Sequence, residues 1–467
     1  MLAVRKEPDN EKKCICFTQS VNGVTRNRFF VPELAGDVPV PVAVAERKRS
    51  PRAEVVGEVW SLPVSIWAPR QKVSDSRDFQ DTEASIRACL ELDWKLCLEA
   101  HSTESFLTKV DSSPGVIEAC FDVLWMNVRF VYSSFDYYAT IGSPEDVLHV
   151  EKAGYRRLIE DCGLIIPGSK HCSTSAFDQL FVKLNAQSDV ARALNRQEWL
   201  QMLVRIAVLR YVTPGVVQSV PAALSELLSM DLMPKTDRRT WQDTFTFRDR
   251  YLYIQDVDTV LRHFETSLRS LFVVYAKGDG MLGDEMRSLK LIDYYEWRQL
   301  MRDLRFYDED YKDREASLTF AWSRMRVIDE RKSAVKLTQL SFEDFLECFV
   351  RIATLKAIPT LEQCFDAGYE DAGEMLVTMR DNQPDEYAEF IAANMRAWDD
   401  PLPEPIYQLV DSAGYFLIRS VQKALGEEQT SSNFVVTEKL ATKFRDASLK
   451  LYGTQIQVDK LLVEAKK

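Results

Sequence analysis

Two stretches of this chain, 146 residues apart, carry nearly the same helix. Trp199-Leu-Gln-Met-Leu-Val-Arg-Ile-Ala-Val-Leu-Arg210 and Phe345-Leu-Glu-Cys-Phe-Val-Arg-Ile-Ala-Thr-Leu-Lys356 agree at six of twelve positions, where about one identity is expected by chance. Three further matches keep the same order. Phe135 to Ala139 (FDYYA) pairs with Phe272 to Ala276 (FVVYA), and Tyr155 to Asp161 (YRRLIED) pairs with Trp297 to Asp303 (WRQLMRD). Phe177, Phe181 and Leu184 pair with Leu318, Trp322 and Met325. Co-linear matches of this kind indicate a duplicated unit of roughly 75–90 residues, each copy reading as four helices and three loops. A duplicated helical unit restricts the chain to a mainly α fold with two related halves.

Spacing inside each copy narrows the choice further. Leu194, Glu198 and Trp199 in one copy, and Leu340, Asp344 and Phe345 in the other, place an apolar residue, an acid four positions later and then an aromatic. In a helix–loop–helix calcium hand these are loop position 8, loop position 12 and the exiting helix. The same frame puts Val150 and Ile292 at position 8 of the earlier loops, with Tyr155 and Trp297 opening their exiting helices. Each copy therefore resembles a paired EF-hand lobe, with a generic helix-hairpin duplication as the other reading.

The loops lack the ligands that such a hand needs. Calcium coordination requires side-chain oxygens at positions 1, 3 and 5, a glycine at 6 and a bidentate acid at 12. The four loops start at Ser143, Gln187, Glu285 and Ser333 and offer Val147, Ala191, Leu289 and Leu337 at position 5. Position 6 holds Leu148, Arg192, Lys290 and Thr338. The glycine-rich stretch from Lys277 to Glu285 has acids at the wrong spacing. No loop is expected to bind calcium at signalling concentrations, and no cofactor is expected.

The flanks differ from this core. Residues 1–72 hold 7 of the 18 prolines and carry 12 Lys plus Arg against 8 Asp plus Glu, so +4 of a chain whose net charge is −12. The remaining 395 residues are then −16. Proline at this density favours extended backbone, and the domain layout expected is an extended arm over 1–77, lobes over 78–232 and 233–385, and a helical tail over 386–467. The hands themselves span about 115–212 and 251–358. Asp81-Thr82 reads as the cap of the first helix, with Ile86, Leu90, Trp94 and Cys97 on one face. The tail holds an apolar helix around Tyr407 to Leu425 and an amphipathic one from Thr437 carrying Leu440, Phe444, Ala447 and Leu451. These either cap the second lobe or meet a partner.

Signatures of other chemistry are missing from the sequence. It holds no phosphate-binding glycine loop, zincin helix, nucleophile elbow or kinase triad. The four histidines and nine cysteines fit no zinc spacing. Odd cysteine number and an N-terminus without an apolar core predict reduced thiols and no secretory signal. No run approaches the ~20 apolar residues of a membrane helix, and an acidic body argues against nucleic acid. The expectation is a non-enzymatic protein without a small-molecule substrate, nucleic acid or membrane partner.

Ligand-free EF-hand-like lobes joined to an aromatic, basic arm resemble degenerate EF-hand microtubule inner proteins of protist cilia and flagella. The residues that carry this resemblance are Leu203–Ala207, Phe349–Ala353 and the stretch Trp67–Thr82 (WAPRQKVSDSRDFQDT), and it covers roughly half of the chain. It implies a structural protein of the axonemal cytoskeleton, bound to tubulin and neighbouring axonemal proteins. Phe29, Phe30, Arg47, Lys48, Arg49, Trp60, Trp67 and Arg70 are the expected partner contacts. The other function in play is a cytoplasmic adaptor whose lobes grip a partner helix.

Overall fold

Thr82 opens the helical body as its side chain accepts the backbone N–H of Ser85, so the first helix, α1, runs Glu83–Glu99 with Ile86, Leu90, Trp94 and Cys97 buried along one face. The computed structural model describes residues 59–450 apart from 74, 143–146, 187–191, 277–289, 399 and 428–433, without the side chains of 72, 73 and 101; before 59 it describes only the backbone of three strands. The protein is mainly α, with 67% helix and little strand. Met1–Glu58 and Val59–Lys467 form separate units.

The first unit departs from the expected extended arm. Strands β1 (Ala3–Arg5), β2 (Cys14–Val21) and β3 (Val24–Pro32) pair in the order β1-β2-β3 as an antiparallel sheet. The two longer strands are separated only by Asn22-Gly23, a dipeptide that favours the tight hairpin turn.

In the second unit, α2 (Thr103–Val110) and α3 (Val116–Met126) lead into α4 (Val128–Ala139). The first copy continues with β4 (Val150–Glu151), α5 (Lys152–Asp161), α6 (Thr174–Asn185), β5 (Ala193–Leu194) and α7 (Arg196–Ala207). After α8 (Val220–Glu226), the second copy runs α9 (Gln255–Tyr275), β6 (Ile292–Asp293), α10 (Tyr294–Asp303), α11 (Asp313–Ser323), α12 (Ala334–Thr338), β7 (Gln339–Leu340) and α13 (Phe342–Leu355). Each copy closes through a two-residue antiparallel bridge: Val150 faces Leu194 in one and Ile292 faces Leu340 in the other. All four of these apolar residues are fully buried.

Hydrogen bonds repeat between the copies as well. Tyr138 donates its hydroxyl to Asp161 in the first, and Tyr275, the matching residue, donates to Asp303 in the second. The aromatic at the matched position of α5 and α10 ties the third helix in each: Tyr155 donates to the Phe177 carbonyl at 2.9 Å and Trp297 to the Ala316 carbonyl at 3.1 Å. Identical local demands at matched positions are what a duplication predicts.

Two hydrophobic clusters fill the body. One gathers α1–α8 with Leu318 and Trp322 of α11; the other gathers α9–α13 with the C-terminal helices and with Ile66, Trp67 and Phe79. The tail is thus continuous with the second copy rather than a domain from 386. After α14 (Leu361–Asp366), α15 (Ala372–Asn382) and α16 (Pro384–Asn394), the long α17 (Ile406–Leu425) lies against α9, α13 and α15. Gly414 and Gly373 allow this approach: a Cβ at Gly414 would strike the Phe264 ring, and one at Gly373 the backbone of Tyr415. The final helix, 438–450, buries Ala441 and Phe444; the predicted Leu451 lies outside the described residues.

Candidate functional site

The exiting helices begin three residues earlier than the sequence spacing predicts, and in three of the four the position-12 acid caps that start. Asn195 and Glu198 form a reciprocal capping box, Oε2 of Glu198 accepting the Asn195 N–H at 3.0 Å. Asp293 with Glu296, and Ser341 with Asp344, do the same at the next two loops. Helices therefore start at Arg196, Tyr294 and Phe342, three residues before Trp199, Trp297 and Phe345. The first loop has Gly154 at position 12 and no side-chain cap, and α5 still starts three residues early, at Lys152 before Tyr155. Gly154 meets a different demand, since a Cβ there would run into the Tyr138 carbonyl.

The opening residues of three of the predicted calcium loops, 143–146, 187–191 and 285–289, lie outside the described residues. The fourth loop is described and contains α12, a short helix in place of an open turn. Among the described residues no group of three or more His, Cys, Asp and Glu side chains could hold a metal ion.

The predicted partner contacts separate into four sets. Phe29 and Phe30 lie in β3, while Arg47, Lys48 and Arg49 lie outside the described residues. Trp60 is half-buried and donates its Nε1–H to Asp258 at 3.0 Å. Trp67 and Arg70 correct the expectation: both are enclosed by their own chain, at 0% and 1% exposure. Trp67 packs edge-on to Tyr253, with ring centroids 5.8 Å apart. Neither side chain is available to a partner, and residues 59–77 belong with the body.

Arg70 enters a buried charge cluster centred on Glu347. Its Nη2 lies 2.7 Å from Glu347 Oε2 and 2.8 Å from Asp344 Oδ1, and its Nη1 donates to the Tyr253 hydroxyl at 3.0 Å. Arg248 reaches Glu347 Oε2 at 3.0 Å and Arg351 reaches Oε1 at 2.7 Å, with all three side chains fully buried. Arg248 also lies 3.5 Å from buried Asp81. Three guanidinium charges thus meet three carboxylates, and the group is neutral as a whole. Burial alone would push Glu347 up, but Arg248, Arg70 and Arg351 outweigh it and hold the carboxyl down at about 2.

A second seam joins the copies. Arg196 of α7 pairs with Asp93 of α1 at 3.0 Å and Glu330 at 3.3 Å, and donates to the carbonyls of Val327 and Ile328. Here burial wins over Arg196 and pushes Asp93 up to about 6, although Arg196 and the Tyr132 hydroxyl both favour its charged form.

Two larger spaces open beside these seams. A groove of about 780 Å³ is lined by Leu62, Ile86, Trp125, Met126, Trp241 and Phe245 among others. Met126 and Trp241 are its most open large apolar side chains, 82% and 46% exposed. Sequence reasoning passed over both. A cavity of about 560 Å³ lies beside the β6–β7 bridge, against Phe272, Phe342 and Glu343. Among the described residues no helix is long and apolar enough to cross a membrane. No family model, curated protein or solved structure matches this chain.

Proposed function

We propose that the protein is a non-enzymatic structural component of the ciliary or flagellar axoneme, built on two calcium-independent EF-hand-like lobes and bound to tubulin in the doublet microtubule. The observation that carries the EF-hand part is the register of the bridges: the four residues that the frame assigns to position 8 meet as Val150 with Leu194 and Ile292 with Leu340. Calcium independence is supported by the three position-12 acids, each committed to a capping box and, for Asp344, to Arg70 as well. The tubulin part rests on the resemblance carried by Leu203–Ala207, Phe349–Ala353 and Trp67–Thr82.

Two further features favour a static scaffold over an adaptor that captures a helix. The helix pairs are already covered in cis, by α1 against α7 and by α17 against α9 and α13. Releasing α17 would expose Leu409, Val410, Phe416, Leu417 and Val421, all buried, at roughly 1.5–3 kcal/mol for each large side chain. Nucleophile chemistry is also unsupported, because burial pushes Cys89 up to about 11 and Cys120 and Cys162 up to about 12.

The deciding measurement is fractionation of tagged full-length protein in a flagellated cell. The expected outcome is recovery with detergent-extracted axonemes that persists through washes stripping peripheral proteins. An even soluble distribution overturns the axonemal reading. Calorimetric titration of the full chain with calcium separately tests the lobes: no heat of binding is expected, and micromolar binding overturns calcium independence.

A further inference from the structure

The cavity beside the β6–β7 bridge is lined by five cations and four acids, and one buried acid among them has no side-chain partner. Its cations are already engaged: Arg70 with Asp344 at 2.8 Å, Lys336 with Asp75 at 2.6 Å and Arg326 with Asp136 at 3.4 Å. Arg269 pairs with Glu265 at 2.9 Å and covers the Phe342 ring at 3.9 Å, and Lys290 donates to the Val273 carbonyl. Glu343 stands apart. It lines the cavity from the first turn of α13, is 7% exposed, and makes no hydrogen bond or ion pair with another described side chain. It accepts from its own backbone N–H, and burial pushes its carboxyl up. Arg70 and Arg269 act on it only from a distance, each committed to another acid, and a buried carboxyl with no side-chain partner is costly to the fold.

We propose that this cavity is a binding site for an alkylammonium group, its ammonium on Glu343 and its hydrocarbon stem against the apolar wall. Phe272, Leu291, Met325 and Val335 supply that wall. At about 560 Å³ the space lies within the range of small-ligand sites. An anion would bring a second negative charge beside Glu343, and a neutral chain would leave the carboxyl unsatisfied. An ammonium does neither, and its charge-assisted hydrogen bond to a carboxylate is among the stronger ones. The same chemistry is offered by a lysine side chain of a partner protein and by a free aliphatic amine. This inference does not depend on the axonemal reading.

Full-length protein titrated with n-hexylammonium, hexanol, hexanoate and Nα-acetyl-lysine amide tests the proposal by calorimetry and thermal shift. Hexylammonium is expected to bind at least tenfold more tightly than hexanol or hexanoate. Glu343→Gln is expected to erase that preference while Tm holds or rises, because the variant removes an unpaired buried acid. Binding of the lysine amide as well assigns the site to a partner's lysine; binding of hexylammonium without it assigns a free amine. Equal binding of hexanol or hexanoate, an unchanged preference in Glu343→Gln, or binding of none of the four overturns the proposal.

Discussion

Helices α7 and α13 carry matching sequences, identical at six of the twelve positions from Trp199 and Phe345, yet their interiors are held by different forces. Gln201 in α7 matches Glu347 in α13, and Arg205 matches Arg351. In the second copy the acid gathers Arg70, Arg248 and Arg351 into a neutral buried cluster. In the first, Gln201 donates to the Ala100 carbonyl at 3.1 Å and to the Thr103 hydroxyl, while Arg205 lies over the Phe106 ring at 4.4 Å. The covering segments explain the difference. α13 receives Arg70 from the segment before the first helix, whereas α7 is covered by α1 and the turn after it, which offers Gln201 the neutral Ala100 carbonyl and Thr103 hydroxyl. One carboxylate-for-amide change between matched helices thus goes with which piece of chain lies over each.

The largest expected effect comes from removing the acid on which three cations converge. Glu347→Ala leaves buried guanidinium groups without their anion and is expected to cost about 3–5 kcal/mol, read as a lower denaturant midpoint. A loss below 1 kcal/mol would mean that water or another acid replaces it. The reverse exchange sharpens the comparison: Gln201→Glu places a carboxyl where Arg205 is the matched cation and no counterparts of Arg70 and Arg248 are present among its recorded contacts. It is expected to destabilise by about 2 kcal/mol or more, since burying an incompletely paired charge is unfavourable.

The two seams should also separate by pH. Asp93 is raised in the folded protein from 3.8 to about 6, so the fold binds its proton more tightly than the unfolded chain. That contribution grows as pH falls from about 6 toward 3.8, by at most ~3 kcal/mol, and Asp93→Asn is expected to flatten this part of the stability curve. Glu347 has the opposite sign: lowered from 4.5 to about 2, it stabilises above 4.5 and its contribution is lost as pH falls toward 2. Glu347→Gln should remove that acid limb and leave the slope near pH 5 in place. The smallest effect is expected at the surface: Arg87→Ala breaks an ion pair with Glu91 between half-exposed side chains and should change stability by less than about 0.5 kcal/mol.

Parts of the molecule could be read directly from residues, and parts could not. Leu194, Ile292 and Leu340 were legible as matched loop positions because an apolar residue at a fixed distance from an acid and an aromatic is a local pattern; Val150, with Gly154 in place of the acid, was placed by the frame of the other loops. Thr82 as a cap, and α17 as an apolar helix, followed from periodicity in the same way. The β2–β3 hairpin carried a local signal at Asn22-Gly23 that the proline content of the surrounding segment obscured. Trp67 and Arg70 carried no such signal. A tryptophan and an arginine in a proline-containing segment read equally well as surface anchors, and their burial is decided by Tyr253, Asp344 and Glu347.

By itself the sequence determined the mainly helical class, the matched residues of the two similar stretches and the side chains at the middle of each loop. Each depends on residues within a few positions of one another, where helical geometry and capping chemistry act. Only the tertiary structure decided that residues 59–77 close over the second copy, that α17 covers its helix pair, and that Glu347 collects three cations while Gln201 collects none. Those outcomes join residues as far as 277 positions apart. Burial, which strengthens every charge interaction there, comes into being when such distant segments meet.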